Sequence, residues 1–227
     1  MSGRSVIVTG AFGALGRVVA AAFAAQGDRV ARIDFAKEAP DAPAGGIDIG
    51  GIDLTDANAT AQAIDQVIAA FGGIDILVNI AGGFTWETLG DGAVASWQRM
   101  YAMNVVTAAT ITRAALPALT AAKGARIINM GAGAAIKADM GMGAYAASKA
   151  GVHRLTESLA TELASSDITV NAILPSIIDT PTNRADMPDA DTSGWVQPQA
   201  IAEVILFLAS PGARSITGAL IPVTRGG

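Results

Sequence analysis

The sequence predicts an α/β fold built on a parallel sheet, and three observations carry that expectation. A short β-branched run, Ser5–Thr9 (SVIVT), leads into a glycine loop and then an alanine-rich helical pattern. Strand and helix patterns keep alternating after it, giving three βα units in a row, and such crossovers lay their strands side by side in parallel. The 227 residues are 51% hydrophobic and only 15% charged, which suits a sheet covered on both faces. The length fits one domain spanning residues 1–227.

Composition also narrows the partners. A formal net charge of −5 without a lysine/arginine cluster argues against nucleic acid. Cysteine is absent, which removes disulfides and thiolate metal sites. His153 is the only histidine and supplies no ligand set, so no metal is expected and its side chain reads as packing or surface. Val6–Val8 runs straight into Thr9-Gly10, unlike a signal peptide, and no apolar run approaches a bilayer span. A cytoplasmic protein with no membrane partner is the expectation.

Taken in order, the first unit is strand, glycine loop and helix. The loop is Gly10-Ala-Phe12-Gly13-Ala14-Leu15-Gly16, and the helix runs to about Gln26 with Gly27 as its stop. Gly10 permits the tight turn, Gly13 lets the backbone approach a pyrophosphate and Gly16 allows close helix–strand packing. The helix N-terminus adds amide donors for phosphate. Arg29–Phe35 reads as the second strand, ending on Asp34, 18 residues past Gly16. A carboxylate there accepts adenosine ribose hydroxyls and repels a 2′-phosphate, which favours NAD over NADP; Arg32 and Lys37 close by would soften that preference.

Ala36–Gly46 reads as a Pro/Gly/Ala-rich loop. Ile47–Leu54 holds a third strand ending at Asp53-Leu54, and Thr55–Phe71 is a helix with Thr55 as its cap. Ile74–Asn79 is a buried strand that delivers Asn79, Ala81 and Gly82 to a strand end, where ligands of parallel sheets bind. A helical stretch from Val94 to about Ala122 contains Asn104 and is expected to break or bend near Pro117. Ala125–Met130 and Ile168–Leu174 are further strands, the latter stopped by Pro175. Residues 176–198 form a polar, proline-punctuated loop long enough to be a substrate loop or lid. The helix Gln199–Ala209 and the strand Gly218–Val223 close the chain.

The chemistry centres on Gly143–Leu159 (GAYAASKAGVHRLTESL), which places Tyr145 and Lys149 four residues apart on one helical face. A free tyrosine ionises near pH ~10. A neighbouring ammonium stabilises the phenolate and is expected to bring that value down toward the working range. The pair is then an acid/base for a substrate oxygen.

Together these motifs resemble the short-chain dehydrogenase/reductase family over nearly the whole chain: TGAFGALG at Thr9–Gly16, Asp34, Asp53-Leu54, NIAG at Asn79–Gly82, Asn104, Tyr145-Ala-Ala-Ser-Lys149 and Pro175–Thr180. The resemblance implies a Rossmann-like, doubly wound sheet of about seven parallel strands with helices on both faces. It implies that Asp53 and Leu54 flank adenine, that Asn79–Gly82 lines the cofactor, and that Lys149 also binds the nicotinamide ribose. Ile178 and Thr180 would hold the carboxamide, with Pro175 at the head of that segment. Tyr145 would exchange a proton with the substrate oxygen, and Asn104 would anchor a water in a relay toward Lys149.

Two departures stand out. The middle glycine of the first loop is Gly13, one place earlier than usual, leaving Ala14 at the usual position. The family's catalytic serine, expected 13 residues before the tyrosine, is Ala132. Three readings follow. The enzyme does not need the serine, as in dihydropteridine reductases, which use NADH to reduce a quinonoid pterin and share the GAYAASKAGVH-type helix. Lys137, Asp139 or a backbone amide replaces it in an ordinary alcohol/carbonyl enzyme. Or the chain is a non-catalytic NAD-binding sensor or scaffold.

Phe84, Trp86, Met140, Met142 and Trp195 fall in loops expected to border the nicotinamide, giving an apolar or aromatic pocket for a small-molecule substrate or, equally, simple loop packing. The acidic run Asp186–Asp191 reads as a solvated loop. Apolar helix faces around Ala102–Leu116 and Ala150–Leu163 would bury the interface of a homodimer or homotetramer.

Overall fold

In the computed structural model, which describes residues 3–40 and 45–225, Ser5–Thr9 forms β1 with every residue buried. Val6 and Val8 enter one apolar layer and Ile7 the opposite one, as strand alternation requires. β2 (Arg29–Ile33) and β3 (Ile47–Ile49) lie on one side of β1; β4 (Ile76–Asn79), β5 (Ala125–Met130), β6 (Ile168–Pro175) and β7 (Leu220–Val223) lie on the other. The seven strands are parallel in the order β3-β2-β1-β4-β5-β6-β7. The winding reverses between β1 and β4, which opens a crevice at their carboxyl ends.

Helices cover both faces. α1 (Ala14–Ala25) and α7 (Pro198–Leu208) bury Val19, Phe23, Ile201 and Ile205 against one layer. α2 (Ala57–Phe71), α4 (Thr107–Ala121) and α5 (Gly143–Glu162) bury Ile64, Ile111, Leu119 and Leu159 against the other. A fully buried side chain such as Phe23 stabilises the fold by roughly 1.5–3 kcal/mol. α3 (Val94–Tyr101) and the short α6 (Pro181–Asp186) sit near the carboxyl ends of the strands.

Several local expectations are corrected. The third strand stops at Ile49 rather than Leu54, because Gly51 (φ 76°) turns the chain, so Asp53 and Leu54 lie beyond it. The cap of α2 is Asp56, not Thr55: its carboxylate accepts from the amides of Asn58 and Ala59, while Thr55 donates its hydroxyl to Asp53. Pro117 stays inside α4 without ending it. It is on an exposed face, where the carbonyl left without its amide partner can turn to water. The irregularity falls instead at Ala102–Val106, a π-helical segment between α3 and α4 that contains Asn104. Pro175 ends β6 rather than stopping it, since its carbonyl side still pairs with β7. The loop 176–198 contains α6, capped by Thr180, and a bridge from Ile178 to Val196. Of the expected Ala36–Gly46 loop, residues 41–44 lie outside the described residues.

Candidate active site

Two glycines of the first loop are required by close backbone neighbours. Gly10 has φ 63°, and a side chain there would run into the backbone of Ala81 at 2.9 Å. A side chain at Gly16 would meet the Gly10 carbonyl oxygen at 2.2 Å. Gly13 and Ala14 are exposed at the start of α1, whereas the side chains of Phe12 and Leu15 are buried and offer a ligand only backbone. No side chain caps α1, so the amides of its first turn are left facing the crevice with the positive end of the helix dipole. That cradle fits a pyrophosphate.

Asp34 follows β2, and its carboxylate is fixed by two amides, Phe12 N–H to Oδ2 at 2.8 Å and Ala36 N–H to Oδ1 at 2.9 Å. Arg32 is buried and pairs with Asp48 at 2.6 Å, with its guanidinium 5.7 Å from the Phe12 ring. The Asp48 pair holds the guanidinium beside Phe12, whose own N–H is the donor to the Asp34 carboxylate. Asp53 is exposed, and hydrogen bonds from the Thr55 hydroxyl and amide hold its carboxyl below the usual carboxylate range. Leu54 is buried in the apolar layer.

The β4 end is tied from beneath. Asn79 is 3% exposed and donates to Asn129 Oδ1 (2.8 Å) and Thr112 Oγ1 (3.1 Å), so its side chain locks β4 to β5 and α4. The Thr9 hydroxyl accepts from both Ile80 and Ala81 amides at 3.1 Å and sets the turn into Gly82. In the sequence Thr9 stands at the end of the first strand and the head of the glycine motif; this role needs β1 and β4 to be adjacent.

Asn104 reaches across from the π-helical segment to Gly83, accepting its N–H and donating to its carbonyl oxygen, each at 3.0 Å. Its amide also donates to Ser148 Oγ at 2.9 Å, and Ser148 donates to the Tyr145 carbonyl oxygen at 2.7 Å. The loop after β4, the π segment and the Tyr145 helix are thus one network. Ser148 was missed in the sequence, where only its position three residues after Tyr145 hinted at it.

On α5, Lys149 is buried and its Nζ donates to the Met130 carbonyl oxygen at 2.9 Å, with the Tyr145 ring centroid 6.0 Å away. Burial pushes the Lys149 ammonium down to about 8 and the Tyr145 phenol up to about 12. The expected downward shift of the tyrosine is therefore reversed in this structure, because desolvation of the phenolate outweighs an ammonium committed to a carbonyl oxygen. Phe84 meets Tyr145 edge-on, with centroids 4.9 Å apart at 83°.

Ala132 is buried at the end of β5, where the expected serine would stand. Lys137 and Asp139 are exposed; Asp139, with Glu87 and Trp97, lines a cavity of about 260 Å³ beside the N-terminus of α5. Of the proposed pocket residues, Phe84, Trp86 and Met140 are exposed and Met142 is half-buried, but Trp195 is buried. Ile178 and Thr180 are joined through Asn183, which donates its side-chain amide to Ile178 O (2.8 Å) and its N–H to Thr180 Oγ1 (3.2 Å). His153 is buried, as the packing reading expects. No helix of the described residues is long and apolar enough to cross a membrane.

The profile of the family described as short chain dehydrogenase matches residues 4–191. A 3-oxoacyl-(acyl-carrier-protein) reductase FabG of Thermotoga maritima is 30% identical, the alignment covering 100% of this chain and 98% of that protein. A cis-4-hydroxycyclohexanecarboxylate dehydrogenase of Sinomonas cyclohexanicum is 33% identical over 98% of this chain and 96% of its own. Among solved structures, ligand-free aldohexose dehydrogenase of Thermoplasma acidophilum superposes with a TM-score of 0.88 at 27% identity, covering 97% of this chain and 92% of that one.

Proposed function

The chain belongs to the short-chain dehydrogenase/reductase family, and from that premise we propose that it is an NAD(H)-dependent oxidoreductase acting on a small apolar or aromatic carbonyl or alcohol. The observation that carries this reading is the gathering of Tyr145, Lys149 and Asn104 at the strand ends, next to the uncapped amides of α1.

The uncapped first turn at Gly13–Gly16 would take the pyrophosphate, and the fixed Asp34 carboxylate would take the adenosine ribose hydroxyls. That carboxylate, with Arg32 committed to Asp48, supports NAD over NADP. Asp53, the Leu54 backbone and the Asn79–Gly82 turn would border the adenosine and its ribose, and Ile178 and Thr180 the carboxamide. A bound nicotinamide supplies or accepts the hydride.

Tyr145 holds its proton at neutral pH, which suits donation to a carbonyl oxygen, and Lys149 offers a buried cation to the ensuing phenolate. Asn104 spends its side chain on Gly83 and Ser148, while the π-helical backbone around it would present a carbonyl to a water of the relay. Exposed Phe84 packs on Tyr145, and Trp86 and Met140 are exposed apolar side chains of the neighbouring loops, which supports the substrate class. A groove lined by Trp97, Tyr101, Ala102, Val106 and Ala147 along α3–α5 supports a homodimer or homotetramer.

A second reading, reduction of a quinonoid pterin with NADH, is favoured by one observation: Ala132 offers the substrate no hydroxyl. NADH oxidation against quinonoid dihydropterin beside aromatic and aliphatic ketones tests both. Turnover of ketones supports the carbonyl reading, and turnover confined to the pterin replaces it. Tight NADH binding with no turnover would leave a nucleotide sensor.

A further inference from the structure

His153 lies 3% exposed one turn after Lys149 on the same face of α5. Its ring fills the space left by Gly131, where a side-chain carbon would sit 2.6 Å from Nε2. Nε2 faces the Ala132 N–H at 3.4 Å, so the ring accepts there and carries its proton on Nδ1. Lys149 meanwhile donates to the Met130 carbonyl oxygen at 2.9 Å. Met130, the last residue of β5, and Ala132, where the usual serine is missing, are thus tied to the Tyr145 helix from two positions one turn apart.

We propose that His153 is a positioning residue: by accepting the Ala132 N–H it registers the end of β5 against the Tyr145–Lys149 helix, and only the uncharged imidazole can do so. A protonated ring has a donor on both nitrogens, so it would oppose the Ala132 N–H and set a second cation beside Lys149. With no serine hydroxyl available, Ala132 offers a substrate only its backbone, and the His153 contact holds that backbone to the helix while the Gly131 N–H holds it to the Ile173 carbonyl of β6.

The charges reaching the ring are Arg154, Glu157 and Lys149 of its own helix; Gly131 and Ala132, which follow β5, meet it with backbone, and Leu174 of β6 adds an apolar side chain beside Gly131. Burial, with Arg154 and Lys149 assisting and Glu157 opposing, holds the imidazole below its ordinary value of 6.5.

The catalytic consequence rests on the oxidoreductase reading, whereas the contact itself does not. A single histidine gives one set of imidazole signals in nitrogen-15 NMR of the full chain. The expected spectrum shows the Nδ1–H form near neutrality, titrating below pH 6.5, with the Ala132 amide moving at the same midpoint. In turnover, His153→Leu should lower kcat about threefold to tenfold, the worth of one neutral hydrogen bond, with KM for NADH unchanged. Protonation of His153 should give the parent an acid limb in kcat below pH 6.5; His153→Gln keeps an uncharged acceptor, so it should recover kcat relative to leucine and lose that limb.

Free exchange between tautomers, or titration at or above 6.5, overturns the contact. A leucine variant as active as the parent, or an acid limb persisting in the glutamine variant, overturns the catalytic role. Should the leucine variant fail to fold, the parent spectrum and the glutamine profile still decide. A chain that turns over no substrate removes the oxidoreductase reading and leaves the spectrum to judge the contact.

Discussion

Arg32 meets Asp48 in a two-point pair, Nε to Oδ1 at 2.6 Å and Nη2 to Oδ2 at 2.8 Å, joining β2 to β3 just before Asp34. The pair directs a cation that sequence proximity assigned to the cofactor into the sheet edge instead. On the proposed reading, the Asp34 carboxylate faces the adenosine ribose. Asp34→Ala should raise the NADPH-to-NADH ratio of kcat/KM by about tenfold or more, the cost of one carboxylate facing a phosphate being at least ~1.4 kcal/mol. A ratio unmoved by the substitution would remove the assignment.

If Tyr145 is the acid/base proposed above, Tyr145→Phe deletes the proton for the substrate oxygen and leaves the proposed dinucleotide cradle intact. Turnover should drop about 10²–10⁴-fold, the usual worth of a general acid, with NADH affinity by fluorescence titration close to the parent value. Residual turnover within a factor of about two would sink Tyr145 as the acid/base.

Asn104→Ala cuts three hydrogen bonds at once, two to Gly83 and one to Ser148. Leaving Gly83 groups part-buried and unpaired should destabilise the fold by ~1–3 kcal/mol, read as a lower midpoint in urea. Turnover should fall along with it, because the loop after β4 loses its tie to the Tyr145 helix.

Lys149 gives a pH signature whose sign follows from linkage. Its folded value, about 8, lies below the unfolded 10.5, so between those limits the unfolded chain binds the extra proton. Stability contributed by this group therefore rises from pH 8 to 10.5 and is lowest below 8, where the buried cation costs the most. Lys149→Met should stabilise the protein near neutrality, by roughly 3 kcal/mol at most, and flatten that rise while abolishing turnover. Tyr145 works against the rise above pH 10, since its folded value of about 12 exceeds the unfolded one. Thermal denaturation of both proteins from pH 7 to 10 measures the difference.

Ala132→Ser restores a hydroxyl where the family places one. Should ketones be the substrates, kcat should rise by about tenfold or more, because a donor at a developing oxyanion is worth ~2.7–4 kcal/mol at best. A serine-independent pterin reductase would gain nothing. Rates on both substrate classes, measured for parent and variant, separate the two.

The sequence by itself determined the order of strands and helices, the parallel sheet and the residues brought to its carboxyl edge. Those features are written in local signals: the apolar run Ser5–Thr9, the glycines at 10 and 16, and the four-residue spacing of Tyr145 and Lys149. Tertiary structure alone decided which partner each polar group found. Arg32 turned to Asp48 on a strand 16 residues away, Thr9 to the amides after β4, and His153 to Ala132. Asn104 found Gly83 and Ser148, and the helix irregularity fell beside it rather than at Pro117. The even balance of pocket and packing for Trp195 resolved as packing, and the tyrosine shifted up where the pattern predicted down. Periodicity and spacing report on one element at a time. Burial and hydrogen-bond pairing arise between elements distant in the chain, so the proton-holding state of the site was fixed only when the sheet assembled.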